Sequence, residues 1–314
     1  MRVLVAGGAG FIGSHLCRAL LKENHQVVAV DNFLTSSRTN IEPLLADPNF
    51  RLIEHDVILP LHFSEKLQAI FHLASPASPN LHSKISYHQL PLQTMLVNTT
   101  GTLNLLKLAE KNQARFLFAS TSEIYGDPTV NPQPESYRGN VSTTGPRSVY
   151  DEAKRFGETI VSYFHRYKKL DTRIARIFNT YGPGILKEDQ RMLSNFIVQA
   201  LNNEPLTVYG DGNQTRSLCY IDDLVRGLVS LMFAEHLAGE IINLGTAKEH
   251  TVLEYAKMVQ KLTNSKSTVV YSEKLPEDDP KERCPDLKKA KALLNWTPKV
   301  SLETGIKKTI QYYQ

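Results

Sequence analysis

Tyr150 and Lys154 stand four residues apart, so on a helix they share one face. A phenol free in water ionises near pH ~10. A neighbouring ammonium and the positive ring of an oxidised nicotinamide stabilise the phenolate and lower that value. Tyr150 can then take the proton of a hydroxyl while a hydride leaves for the nicotinamide. A Tyr-x-x-x-Lys spacing alone is common by chance, and an exposed helical pair is its plain alternative. It gains weight from two segments upstream, Gly7-Gly8-Ala9-Gly10-Phe11-Ile12-Gly13 and Ala119-Ser120-Thr121-Ser122-Glu123. Thr121 or Ser122 can hydrogen-bond the same reacting hydroxyl. Glu123 adds a second acid/base or positioning carboxylate, against the plain reading of a strand-end salt bridge.

The glycine spacing suits a cofactor's diphosphate. Glycines let the turn tighten and let backbone N–H groups approach a pyrophosphate, while a helix N-terminus adds partial positive charge. The match is credible because it follows the first candidate strand directly and opens a helix. Asp31 ends the second candidate strand, where a carboxylate accepts from ribose hydroxyls and repels a 2′-phosphate. That favours NAD over NADP, with Arg38 as a counter-signal because it could meet a phosphate. Asp56 and Val57 follow the third strand, and Leu73, Ala74 and Ser75 the fourth, where the adenine and the second ribose would sit. The bland role for Asp56 is a loop cap. Asn32, Asn98 and Thr180 complete the expected cofactor set.

The elements that must position these residues are legible as a pattern. Candidate strands span 2–6, 26–31, 50–54, 69–73, 116–120 and 172–177, separated by helical spacing at 12–21, 99–111 and 151–168. Such alternation predicts an α/β fold, a Rossmann-like doubly wound parallel sheet with helices on both faces. After Asn179, Pro183, Gly184, Pro205, Gly210 and Gly212 break the chain into shorter pieces. The expected division is a dinucleotide-binding region at 1–178, with 216–246 returning to it, and a smaller substrate-binding region at 179–314. The smaller part would close the cleft beyond the strand ends, where ligands bind in such folds.

Bulk properties narrow the classes. The 314 residues are 41% hydrophobic and 22% charged, ordinary for a globular protein. A net charge of +4 does not argue for nucleic acid, though it suits an anionic small substrate. Cys17, Cys219 and Cys284 are far apart and odd in number, which implies no disulfide framework. No HExxH or CxxH spacing points to a metal. No apolar run is long enough to span a membrane, so a cytoplasmic protein is expected.

The longer motifs are familiar. They are GGAGFIGSHL from Gly7, HDV from His55, HLASPASP from His72, ASTSEIYGDP from Ala119 and GPRSVYDEAKR from Gly145. ARIFNTYGP from Ala175, SNFI from Ser194, LTVYGDGNQTRS from Leu206 and EDDPKERCPD from Glu277 follow. Together they resemble the extended short-chain dehydrogenase/reductases, and within them the UDP-glucuronate decarboxylase family, over nearly the whole chain. The resemblance implies that Tyr150 takes the 4-hydroxyl proton of UDP-glucuronate while NAD accepts hydride from C4. The resulting β-keto acid loses carbon dioxide, and hydride returns to give UDP-xylose with NAD regenerated. It links Glu123 to the decarboxylation and places Arg283 near the substrate carboxylate, which suits a guanidinium fork. Arg216 and Arg191 match positions near the diphosphate, Asn179 and Asn195 positions near sugar and phosphate, and Tyr209 a position beside the uracil. A homodimer paired through helices 99–111 and 151–168 is expected by the same analogy.

The chain departs from the family's pattern at Arg138, at 142–145, at Gly184 and at Cys284, and residues 80–86 read as extra loop beside the substrate entrance. Three other readings compete. A 4-epimerase shares the oxidation but needs neither Glu123 nor Arg283. A 4,6-dehydratase would carry Asp-Glu after the threonine, where Ser122 stands. A non-catalytic NAD-binding sensor has no need of Tyr150 and Lys154.

Overall fold

The computed structural model describes residues 1–275, 280 and 282–314. The first half runs β1 (Arg2–Ala6), α1 (Phe11–Lys22), β2 (Gln26–Asp31), β3 (Phe50–Glu54), β4 (Ala69–His72), α2 (Pro91–Leu96), α3 (Thr102–Asn112), β5 (Arg115–Thr121), α4 (Ser148–Lys168) and β6 (Thr172–Ile177). Then come β7 (Thr180–Tyr181), α5 (Met192–Leu201), β8 (Leu206–Tyr209), β9 (Thr215–Ser217), β10 (Cys219–Tyr220) and α6 (Ile221–Phe233). The chain closes with β11 (Ile241–Leu244), β12 (Glu249–Thr251), α7 (Val252–Thr263), β13 (Val269–Glu273), α8 (Lys288–Leu294) and α9 (Leu302–Tyr313).

Seven strands form one sheet in the order β11-β6-β5-β4-β1-β2-β3, and every pairing in it is parallel. A parallel sheet is buried on both faces. β1 shows it directly. Val3 and Val5 pack with Leu16 and Leu20 of α1 and Leu224 and Leu228 of α6. Leu4 and Ala6 face the other way, onto Leu105 of α3 and Val161 of α4. The strand order reverses between β1 and β4, and that opens a crevice beyond their carboxyl ends.

The late segment β11 joins the sheet beside β6, so α6 and β11 return to the larger layer. The remainder forms a smaller layer, with β8 paired to β13 and α5, α7 and α9 packed around them. The expected helix at 99–111 proves to be composite. α2 ends at Leu96, a π turn covers Val97–Gly101, and α3 begins at Thr102. Among the described residues no helix is long and apolar enough to cross a membrane, and no cluster of His, Cys, Asp and Glu could hold a metal.

Candidate active site

The crevice beyond β1 and β4 holds two adjoining lobes. Gly7 has φ +81°, and a Cβ there would sit 2.7 Å from the Ala74 nitrogen. A Cβ on Gly13 would lie 1.9 Å from the Gly7 oxygen, so the turn closes only with glycine at both positions. α1 starts from Gly10 with no side-chain cap, which leaves its first N–H groups for an anion. Asp31, 8% exposed, accepts from the Ala9 N–H at 2.9 Å and from Ser36 Oγ at 2.7 Å. It faces the smaller lobe with Asn32, Asp56, Val57 and Ala74. Asp56 caps its own turn through the Ile58 N–H and also accepts from Asn32 Nδ2. Arg38 is spent elsewhere, paired with Glu54 and lying over the Phe33 ring. A bare diphosphate cradle, a ribose-side carboxylate and, among the described residues, no arginine in the lining of the smaller lobe to meet a 2′-phosphate fit NAD.

The larger lobe has a cavity volume of about 370 Å³. Phe11, Ile12, Leu73, Ser75 and Thr180 line it on the cofactor side. Asn98 lines neither lobe. It is fully buried and its amide donates to Ser75 Oγ at 2.9 Å, so it acts on the cleft only through Ser75.

β5 delivers Thr121 to the floor of this lobe. A 3-10 turn at Ser122–Tyr125, capped by the Thr121 hydroxyl, then aims Glu123 inward. α4 brings Tyr150 and Lys154 alongside, and Gly157 allows the approach, since a Cβ there would lie 2.6 Å from the Phe118 ring. Tyr150 is hydrogen-bonded to Thr121; burial and the charge of Glu123 nonetheless hold its phenol above the usual range. Lys154 Nζ donates to the Ala119 carbonyl at 2.7 Å and lies 5.8 Å from the centre of the Tyr150 ring. Ser122 is buried beside them.

Burial pulls the Lys154 ammonium down to about 7 from its ordinary 10.5. The folded chain therefore releases a proton that the unfolded chain keeps. The cost is full below about pH 7 and fades as pH rises toward 10.5. Lys154→Met removes it. Moving from pH 9 to pH 6, the melting temperature of the ligand-free variant is expected to gain ~4 °C relative to wild type. A pH-independent gap between the two proteins would show that the amine carries no such burden.

Glu123 is paired with two arginines of the site. Arg283 grips it with both nitrogens, at 2.5 and 2.7 Å, and Arg147 meets it at 2.5 Å. Burial alone would raise its carboxyl, but Arg283, Arg147 and Arg216 outweigh that and hold it below the usual range. Arg283 is 5% exposed and not a surface residue of a charged loop. Its segment is clamped to Gln133, whose N–H donates to the Cys284 carbonyl at 2.8 Å and whose carbonyl accepts from the Asp286 N–H at 2.9 Å. Ser217 Oγ adds a bond to the Arg283 carbonyl at 3.0 Å. Cys284 is buried within this clamp. Of the motif that begins at Glu277, residues 277–279 and 281 lie outside the described residues.

Asn179, Arg191, Asn195, Tyr209 and Arg216 all line the larger lobe. Arg191 pairs with Asp189 at 2.8 Å, Asn195 donates to Thr207 Oγ1 at 3.3 Å, and Gln214 fixes the Tyr209 carbonyl at 3.0 Å. Arg138 is exposed and, like residues 142–145, lines neither lobe. Gly184 accepts from Asn40 Nδ2 at 3.3 Å beside the cleft wall.

Arg147 and Tyr87 line the lobe beside Tyr150 and went unassigned from sequence. Arg147 stands three residues before Tyr150, at the N-cap of α4, a spacing that could have marked it. Tyr87 carried no signal, because it reaches Tyr150 only through the fold. The two rings stack with centroids 4.9 Å apart.

The model of the NAD dependent epimerase/dehydratase family matches residues 3–245. A UDP-glucuronic acid decarboxylase 1 of Danio rerio is 49% identical over 314 residues, spanning 99% of this chain and 72% of that relative. The chain belongs to the UDP-glucuronic acid decarboxylases of this family. UDP-glucuronic acid decarboxylase 2 of Arabidopsis thaliana is 49% identical over 306 residues, 98% of this chain and 66% of its own length. Solved structures of the wider family share the whole fold. The UDP-glucose 4-epimerase of Thermotoga maritima with UDP-glucose superposes with a TM-score of 0.87 at 30% identity, covering 100% of this chain and 98% of its own. The UDP-glucuronic acid 4-epimerase of Bacillus cereus, in complex with UDP-glucuronic acid and NAD, gives 0.84 at 30%, covering 100% and 99%. Family membership extends through α9, well past the residues the family model matches.

Proposed function

We propose that this chain converts UDP-glucuronate into UDP-xylose and carbon dioxide, with NAD restored in each cycle. One observation carries the reading. A buried carboxylate, Glu123, is held by Arg283 and Arg147 beside Tyr150. A simple oxidation and reduction at C4 has no use for that cluster, whereas removing a carboxylate does. The names of the decarboxylase relatives support it.

The glycine turn and Asp31 would hold NAD, which would supply the hydride acceptor for sugar C4 and the hydride for its return. Tyr150 takes the 4-hydroxyl proton, with Thr121 and Ser122 holding the oxygen. The ketone at C4 turns the C5 carboxylate into a β-keto acid. Its C–C bond breaks, carbon dioxide leaves, and the electron pair flows into an enolate. Arg283 and Arg147 anchor the carboxylate until it departs, and Glu123 keeps both guanidiniums oriented. A proton taken up from water is added at C5, and Tyr150 gives back the proton at O4. Arg191 and Arg216 suit the diphosphate, Asn179 and Asn195 the sugar and phosphate, and Tyr209 the uracil.

Proton NMR of the purified protein with UDP-glucuronate and NAD tests this. Anomeric signals of UDP-xylose with release of carbon dioxide are the expected result. Conversion of UDP-glucuronate to UDP-galacturonate without gas would replace the reading with a 4-epimerase.

The exposed surface supports a homodimer. Leu92 and Met95 of α2 and Phe156, Tyr163 and Tyr167 of α4 expose one apolar face, at the paired helices rather than along α3. Light scattering is expected to give twice the chain mass of 35.3 kDa, and a value at 35.3 kDa would refute the dimer. Three buried free thiols support a reducing compartment, the cytoplasm.

A further inference from the structure

Tyr87 is buried to 1% exposure, yet it lines the larger lobe. Its ring stacks on Tyr150 with planes 11° apart, and the Arg147 guanidinium lies 5.9 Å from its ring centre. Among the described residues its hydroxyl has no hydrogen-bond partner. Burying a hydroxyl without a partner destabilises a fold. Slack does not put it there. The preceding strap is tied down by Ser78 Oγ to the Asp189 carbonyl at 2.8 Å, Asn80 Nδ2 to that of Gln190 at 2.8 Å, and Ser83 Oγ to that of Glu188 at 2.5 Å. The extra loop length therefore builds a fixed wall that ends in Tyr87.

The surroundings say what the hydroxyl can meet. Burial keeps its proton on oxygen, so it is a donor; the charged groups that act on it are Arg147, Glu123 and Asp151, with Tyr150 adjoining. These belong to the end of the lobe where the sugar reacts. Glu123 already takes one bond from each terminal nitrogen of Arg283 and one from Arg147, so these guanidiniums offer an entering carboxylate only the rest of their N–H groups. A second carboxylate entering beside it needs a further donor, and an uncharged phenol provides one without desolvating another ion.

We propose that Tyr87 is a substrate-binding residue whose hydroxyl donates to the carboxylate of the bound uronate. This rests on the function proposed above. Tyr87→Phe keeps the stacked ring and removes only the hydroxyl. Calorimetry with NAD present, in a Tyr150→Phe background that halts turnover, compares UDP-glucuronate with UDP-xylose, which lacks the carboxylate. The expected result is about 10-fold or more weaker binding of UDP-glucuronate, the usual worth of a hydrogen bond to a charged group, and less than ~2-fold change for UDP-xylose. The melting temperature of ligand-free Tyr87→Phe should be no lower than wild type, because an orphaned hydroxyl has been removed. Equal weakening for both ligands, unchanged binding of both, or a lowered melting temperature each overturn the assignment to the carboxylate. Wild type that fails to turn over UDP-glucuronate would instead remove the functional reading, and the proposal with it.

Discussion

Tyr150→Phe is expected to lower turnover of UDP-glucuronate by about 10²–10⁴-fold, the usual worth of a positioned general base. The phenol is buried, bonded to Thr121 and set on the same face of α4 as Lys154. Phenylalanine keeps the stack on Tyr87 and loses only the proton acceptor, so substrate affinity should change far less than rate. The measurement is a steady-state rate set against calorimetric affinity for the same variant. A loss of less than tenfold in turnover would mean that another group takes the proton, and Tyr150 would then be a packing residue.

Glu123→Gln carries the second large effect, this time on stability as well as chemistry. The amide cannot neutralise the buried guanidiniums of Arg283 and Arg147 that now share one carboxylate. Breaking a buried pair typically costs about 3–5 kcal/mol, because the partner charge stays behind. The ligand-free variant is expected to melt at least ~6 °C below wild type at neutral pH. The sign with pH follows from the lowered carboxyl. Its stabilisation is present above the ordinary value of 4.5 and is lost as pH falls through the depressed one. The gap between variant and wild type should therefore be full at pH 7 and shrink in acid. A variant as stable as wild type at pH 7 would show that the cluster is not a coupled unit.

The parts of the site that could be read from sequence are those fixed by local spacing. The glycine turn, Asp31 at a strand end and the four-residue step from Tyr150 to Lys154 each express one backbone geometry, so residue type and interval suffice. The doubly wound sheet was legible for the same reason, since apolar runs alternated with helical spacing. The join between α2 and α3 was not legible. Within its π turn the Asn98 amide bonds the Thr94 carbonyl and Ser75 at once, and the second partner follows another strand, which local spacing does not reveal. Tyr87 was invisible because only tertiary packing carries it onto Tyr150. Arg283 drew its expected role from resemblance alone. What seats it is Gln133, a residue with no chemistry of its own to attract notice.

The Gln133 clamp has an evolutionary corollary. The backbone that presents Arg283 is measured out by a partner about 150 positions earlier in the chain, with Gln133 Oε1 receiving the Cys284 N–H at 2.9 Å. A drift at either place moves the guanidinium relative to Glu123. Among related chains, position 133 and the stretch 283–286 should accordingly covary, so that lineages exchange the two together or keep both.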